Sequence, residues 1–136
     1  MSELREKFMN AMLKRPSTRK QAREFLVRSH AGEEEIASLM SEAEEMGLID
    51  DEAFARLFVD GHLRWGNLKI AYELGMRGLC REDIEEALDE AEDEVERARE
   101  IAAGWRKSGI EERKIASRLA GRGFTSRAVR SAMSGN

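Results

Sequence analysis

Residues 69–88, KIAYELGMRGLCREDIEEAL, return as residues 114–133, KIASRLAGRGFTSRAVRSAM, with seven of twenty aligned positions identical. A fixed-period match of this kind restricts the fold to an array of similar units that stack and bury their apolar faces against one another. The unit itself is legible. Ile70 and Leu74, like Ile115 and Leu119, are four apart and line one face of a helix. Gly78 and Gly123 stop that helix, because glycine accepts the left-handed conformation needed at a helix C-terminus. With Cys80 and Thr125 as the next N-caps, Leu79 faces Ile84 and Phe124 faces Val129 at hydrophobic-staple spacing. Thr125 is a good cap and Cys80 a poor one. The unit reads helix, tight turn, helix.

A third copy lies near the N-terminus. Ala31 and Ile36 match the staple pair Leu79 and Ile84. The helix before them pairs by residue type one position out of register, Ala22 with Ala71, Phe25 with Leu74 and Arg28 with Arg77. The first copy is therefore expected to have a turn one residue longer.

Each unit takes a further helix in front. The expected helices are Glu3–Lys14, then one capped by Ser17 or Thr18 and ending near Arg28, then Glu33 to about Met46. The next starts after Asp50, a strong N-cap, and runs to about Arg64; another begins at Leu68. After Leu88 a break is expected between Ala91 and Glu94, and Ser108-Gly109 ends the element that follows. The fold class is all-α: nine helices as three tandem three-helix repeats in an elongated, curved array. The expected units are residues 1–48, 49–91 and 92–136. The single proline and the lack of alternating β-branched runs argue against strands.

Charge is distributed by segment. Residues 1–30 carry eight Lys/Arg against three acids, residues 31–102 seven against twenty-two, and residues 103–136 eight against two. Basic ends flank an acidic middle, which keeps polyanionic partners open. No apolar run is long enough for a membrane span, and the N-terminus lacks a signal-peptide core. One cysteine fits a reducing cytoplasm.

Chemistry-bearing constellations are missing. His30 and His62 have no nucleophile at a recognised spacing, and both read as structural. Cys80 reads as a small packed turn residue, and the methionines, Met46 and Met76 included, as core filler. The carboxylate run at residues 89–94 lacks the glycine and alternating ligands of a calcium loop. Neither enzyme activity, metal nor cofactor is expected. The repeated cations carry more information. Lys69 matches Lys114, and Arg77 matches Arg122 just before the stop glycine. With Arg64, Arg113 and Arg118 they form the candidate partner-binding set, a basic strip on the second and third units; Arg127 and Arg130 extend it. The plainer alternative for Arg77 and Arg122 is a favourable charge at a helix C-terminus.

The stretch Gly47-Leu48-Ile49-Asp50-Asp51-Glu52-Ala53-Phe54-Ala55 resembles the RecX family of bacterial recombination regulators. The similarity continues through Phe58-Val59, Arg64, Gly66, Lys69-Ile70, Leu74 and Arg77-Gly78-Leu79. Family members commonly have a basic residue where His62 stands and a proline where Asn67 stands. The resemblance implies tandem three-helix units and a partner rather than a reaction. That partner is the RecA protein as a filament on single-stranded DNA, whose strand exchange, ATP hydrolysis and coprotease activity are inhibited in DNA repair and the SOS response. A cytoplasmic monomer is expected, with weak direct DNA contact possible. The alternative reading is a helix-turn-helix-like DNA-binding protein.

Overall fold

A computed structural model describes residues 2–134, and these form nine helices without a named strand. They are α1 (Glu3–Lys14), α2 (Arg19–Arg28), α3 (Glu33–Glu45), α4 (Asp51–Asp60), α5 (Asn67–Met76), α6 (Arg81–Glu90), α7 (Glu94–Lys107), α8 (Glu112–Gly121) and α9 (Ser126–Met133). Local chemistry explains most starts. Thr18 forms a capping box with Gln21, and Asp50, Asp93 and Thr125 each accept a backbone N–H of the first turn. The expected break falls between Glu90 and Glu94. The helix after Asp50 is shorter than expected, ending at Asp60 because Gly61 caps it and a turn carries the chain to Trp65.

Three separate apolar cores follow in chain order. Phe8, Met12, Leu26, Ile36, Met40 and Ile49 belong to the first, under α1–α3. Val59, Ile70, Leu74, Leu79 and Ile84 belong to the second, under α4–α6. Ile101, Ile115, Leu119 and Phe124 belong to the third, under α7–α9. No core draws on a large aromatic set, as the small aromatic content dictates. The accessible surface is 8572 Å². A compact monomer of 15.4 kDa would expose about 7,200 Å². The excess is what an elongated array of small cores requires.

The first unit does not carry the longer turn. Leu26 and Leu74 are both fully buried, and Ser29 and Arg77 both cap their helices. His30, at φ 65, occupies the left-handed position that Gly78 and Gly123 hold at φ 92 and 88. The three turns are equally long. Pairing Ala22 with Ala71 matched residue types but not burial, and Ala22 is the equivalent of buried Ile70. Three other expectations change. Cys80 is exposed and its side chain caps nothing. Met46 and Met76 are more than half exposed rather than core.

The units are joined end to end through their middle helices. At the second joint the Gly66 N–H donates to the Arg122 carbonyl (2.8 Å) and the Leu68 N–H to the Gly123 carbonyl (3.0 Å). Gly66 is buried against this turn, and a Cβ there would overlap the backbone of Gly123 and Phe124. At the first joint the buried Thr18 hydroxyl donates to the Arg77 carbonyl (2.7 Å). In both joints an acid from the next unit caps the abutting N-terminus. Asp51 Oδ1 accepts the Arg19 N–H (2.8 Å), and Glu94 Oε2 accepts the Asn67 N–H (2.9 Å). The repeated Arg-Gly turn is thus both a helix stop and a socket. The N-terminus of α5 rests on the C-terminal turn of α8, and that of α2 on the turn of α5, an arrangement the helix dipoles favour.

Candidate partner-binding strip

Head-to-tail placement turns a spacing argument into a surface. Lys114, Arg118 and Arg122 succeed one another at intervals of four along α8, to one side of the buried Ile115 and Leu119. Lys69 follows across the joint, its side chain lying against Gly123. Glu73 and Arg77 continue the row along α5.

Aromatic rings lie beneath the row. The guanidinium carbons of Arg122 and Arg118 are 5.0 and 5.6 Å from the Trp105 ring centre. Lys69 Nζ is 4.2 Å from that of Trp65, and the Arg77 guanidinium 4.9 Å from that of Phe58. Between Phe58 and Trp65 lies the His62 ring, 4.2 Å from each, with Nδ1 2.7 Å from the Phe58 carbonyl oxygen. Cations held over aromatic faces are oriented by the ring quadrupole and lose less freedom when they bind a partner.

The expected strip is partly assembled. Lys69, Lys114, Arg118 and Arg122 lie in one row. Arg77 joins it but is engaged already, donating to the Glu73 carboxylate (2.8 Å) and carbonyl (2.9 Å). Arg113 projects from another side of α8, by the 100° step between it and Lys114. Arg64 is exposed in the turn between α4 and α5. Both make no ion pair among the described residues.

Beyond Arg77 the row opens into a groove between the first and second units, which sequence reasoning did not find. Lys14, Arg15 and Arg28 stand on its rim with Arg77, and Phe25 and Phe54 line it. Lys14, Arg15, Phe25 and Arg28 belong to the first unit, and the joint brings Phe54 and Arg77 of the second against them. Next to the strip, Leu68, Tyr72 and Met76 expose 60–64% of their surfaces along α5.

Glu73 is the acid within the row, and it pairs with Arg77. Away from the row, acids crowd one another. The Glu52 carboxyl is pushed above its ordinary value by the nearby carboxylates of Glu86 and Asp83. Glu100 is raised likewise by its hydrogen bond with Glu92. Arg97 is different, 2% exposed and pulled below arginine's ordinary value by burial. It donates to the carbonyls of Leu63 (3.0 Å), Trp65 (2.6 Å) and Glu92 (2.9 Å), and to Asn67 Oδ1. It thereby fixes the turn that carries Trp65 and the start of α5, which carries Lys69.

The family description that matches is "RecX, second three-helix domain", over residues 50–88. The Regulatory protein RecX of Chromohalobacter salexigens is 41% identical over 113 residues, 78% of this chain and 74% of that protein. The Regulatory protein RecX of Thermus thermophilus is 37% identical over 94 residues, 68% of this chain. The match spans just under two thirds of that relative's length, 64%. Among solved structures, RecX from Lactobacillus salivarius superposes with a TM-score of 0.81 at 22% identity, covering 98% of this chain and 97% of that one. A second RecX crystal structure gives 0.78 at 20% identity, over 96% of this chain and 71% of that one.

Proposed function

Since this chain belongs to the RecX family, we propose that it binds RecA as a filament on single-stranded DNA and inhibits its recombinase, ATPase and coprotease activities. The role is regulatory, in DNA repair and the SOS response, and cytoplasmic; no helix among the described residues is long and apolar enough to cross a membrane. The observation that carries the reading is the row Lys114–Arg118–Arg122–Lys69, continuous across a hydrogen-bonded joint and backed by Trp105 and Trp65. A nucleoprotein filament is long and carries phosphates and acidic protein surface. An elongated array with one basic edge matches it in shape and charge. Domain limits near residues 48 and 91 fit this reading, the second and third units each adding one segment of the edge.

The test replaces Lys114, Arg118 and Arg122 together with glutamine. The variant should keep its helicity, bind RecA filaments at least tenfold more weakly and lose inhibition of ATP hydrolysis; phosphate contacts alone predict a change of this order. An unaffected variant removes the strip as the contact surface. A DNA-binding reading is separated in the same assay. It requires salt-sensitive binding to bare DNA as strong as that to filaments.

A further inference from the structure

We infer that the groove between the first and second units is a docking site for an acidic peptide segment carrying one large apolar side chain. Two adjoining depressions form it. One, of about 540 Å³, has Lys14, Arg15, Arg28 and Arg77 on its rim and no carboxylate in its lining. The other, of about 250 Å³, is mostly apolar, with Leu13, Leu48 and Leu57 among its walls. Met12, Pro16, Ser17 and Phe54 line both, so the depressions share a wall. The only acid in the second lining, Asp50, is occupied as the α4 N-cap, accepting the Ala53 N–H at 3.1 Å.

Leu13 and Leu57 decide what kind of partner fits. They come from different units, meet at the same depression, and stand 66% and 64% exposed. An aliphatic pair left this open on a chain with 37% charged residues is unsatisfied surface. A phosphodiester strand would use the four cations and leave the leucines bare. An apolar side chain flanked by aspartates or glutamates uses both, its ring or branch between the leucines and its carboxylates on the rim. Arginine is well suited to that rim, because its guanidinium pairs with a carboxylate through two parallel hydrogen bonds. Lys14, Arg15 and Arg28 form no ion pair among the described residues, so they are free for such contacts.

The inference names the protein component of the partner and rests on reading this edge as a partner surface. Its test uses a defined probe, so its failure leaves the filament reading standing. The probe is a fluorescent seven-residue peptide, one phenylalanine between two runs of three aspartates, titrated with the full chain and followed by anisotropy. Saturable binding is expected. Replacing the peptide's phenylalanine with alanine, the double substitution Leu13→Gln and Leu57→Gln, which removes apolar surface without adding charge, and the double substitution Lys14→Glu and Arg15→Glu should each weaken it about tenfold. All four protein positions are exposed, and unchanged melting curves confirm that the fold survives. The triple glutamine variant on α8 should bind the peptide as the parent does. Failure to saturate overturns the inference. So does affinity that survives the leucine substitutions, or complete displacement by an oligothymidylate, since either makes the groove a general anion surface.

Discussion

Arg97 is a buried cation with no carboxylate at hydrogen-bond distance, and its four hydrogen bonds all go to neutral oxygens. Three of those are main-chain carbonyls that no helix can satisfy, because Leu63 and Trp65 lie in a turn and Glu92 in the break before α7. An unpaired buried carbonyl costs about 1–3 kcal/mol, so one planar side chain with five donors resolves several such costs at once. Arg97→Met keeps the bulk and orphans the carbonyls. It should cost about 2–5 kcal/mol in urea unfolding, from two or three orphaned carbonyls at about 1–3 kcal/mol each less the desolvation recovered with the guanidinium. Arg97→Lys should recover less than half of that, because an ammonium cannot reproduce the guanidinium's fan of donors. A loss below about 1 kcal/mol for methionine would mean that water replaces the arginine without penalty. The sequence did offer a signal: Arg97 stands four before Ile101 on the apolar face of α7, where a charge is out of place.

At the scale of the element, the helix–turn–helix unit keeps glycine at its most constrained position in two copies and tolerates histidine there in the first. Gly78 and Gly123 reach positive φ without steric cost, whereas His30 does so with a Cβ that crowds its own carbonyl. The His30 side chain is exposed, so the strain is not offset by core packing. His30→Gly should therefore stabilise the chain by about 0.5–1 kcal/mol, the relief of strain less the added entropy of the unfolded glycine. His30→Ala should not, because alanine keeps the Cβ; equal gains from both would place the benefit outside the backbone. The same residue explains where sequence reading went astray. Two glycine-marked turns were legible, but a histidine in the third hid its register, and pairing Ala22 with Ala71 suggested a longer turn. The cores were legible because Ile70, Leu74, Ile115 and Leu119 keep helical spacing. Lys69, Lys114 and Arg122 were legible because the repeat marks them, and Arg118 because it falls midway between Lys114 and Arg122 at helical spacing. The groove in which Lys14, Arg15 and Arg28 face Phe54 and Arg77 was not, because its two walls come from different units.

Across the whole molecule, long-range order depends on two joints, and the second is the more heavily bonded. Glu94 accepts the Asn67 N–H from the second unit's α5 through Oε2. From Thr125, at the start of α9, it accepts the N–H through Oε2 (3.0 Å) and the hydroxyl through Oε1 (2.8 Å). Thr125 in turn accepts the Ala128 N–H. Its counterpart Cys80 makes no such bond, so the Asp51 joint lacks this relay. One carboxylate thus ties two helix N-termini in different units, each carrying partial positive charge. Glu94→Gln retains shape but gives up the charge and one acceptor. In an array where each unit touches only its neighbours, damage stays local. Amides of α8 and α9 should exchange about ten- to a hundredfold faster, corresponding to the 1.5–3 kcal/mol of a charge-assisted hydrogen bond. Amides around Phe8, Leu26 and Ile36 in the first core should keep the parent's rates. Equal acceleration in the first and third units would show that the chain opens only as a whole. The proposed edge would then owe its continuity to global cooperativity rather than to the joint at Gly66 and Gly123.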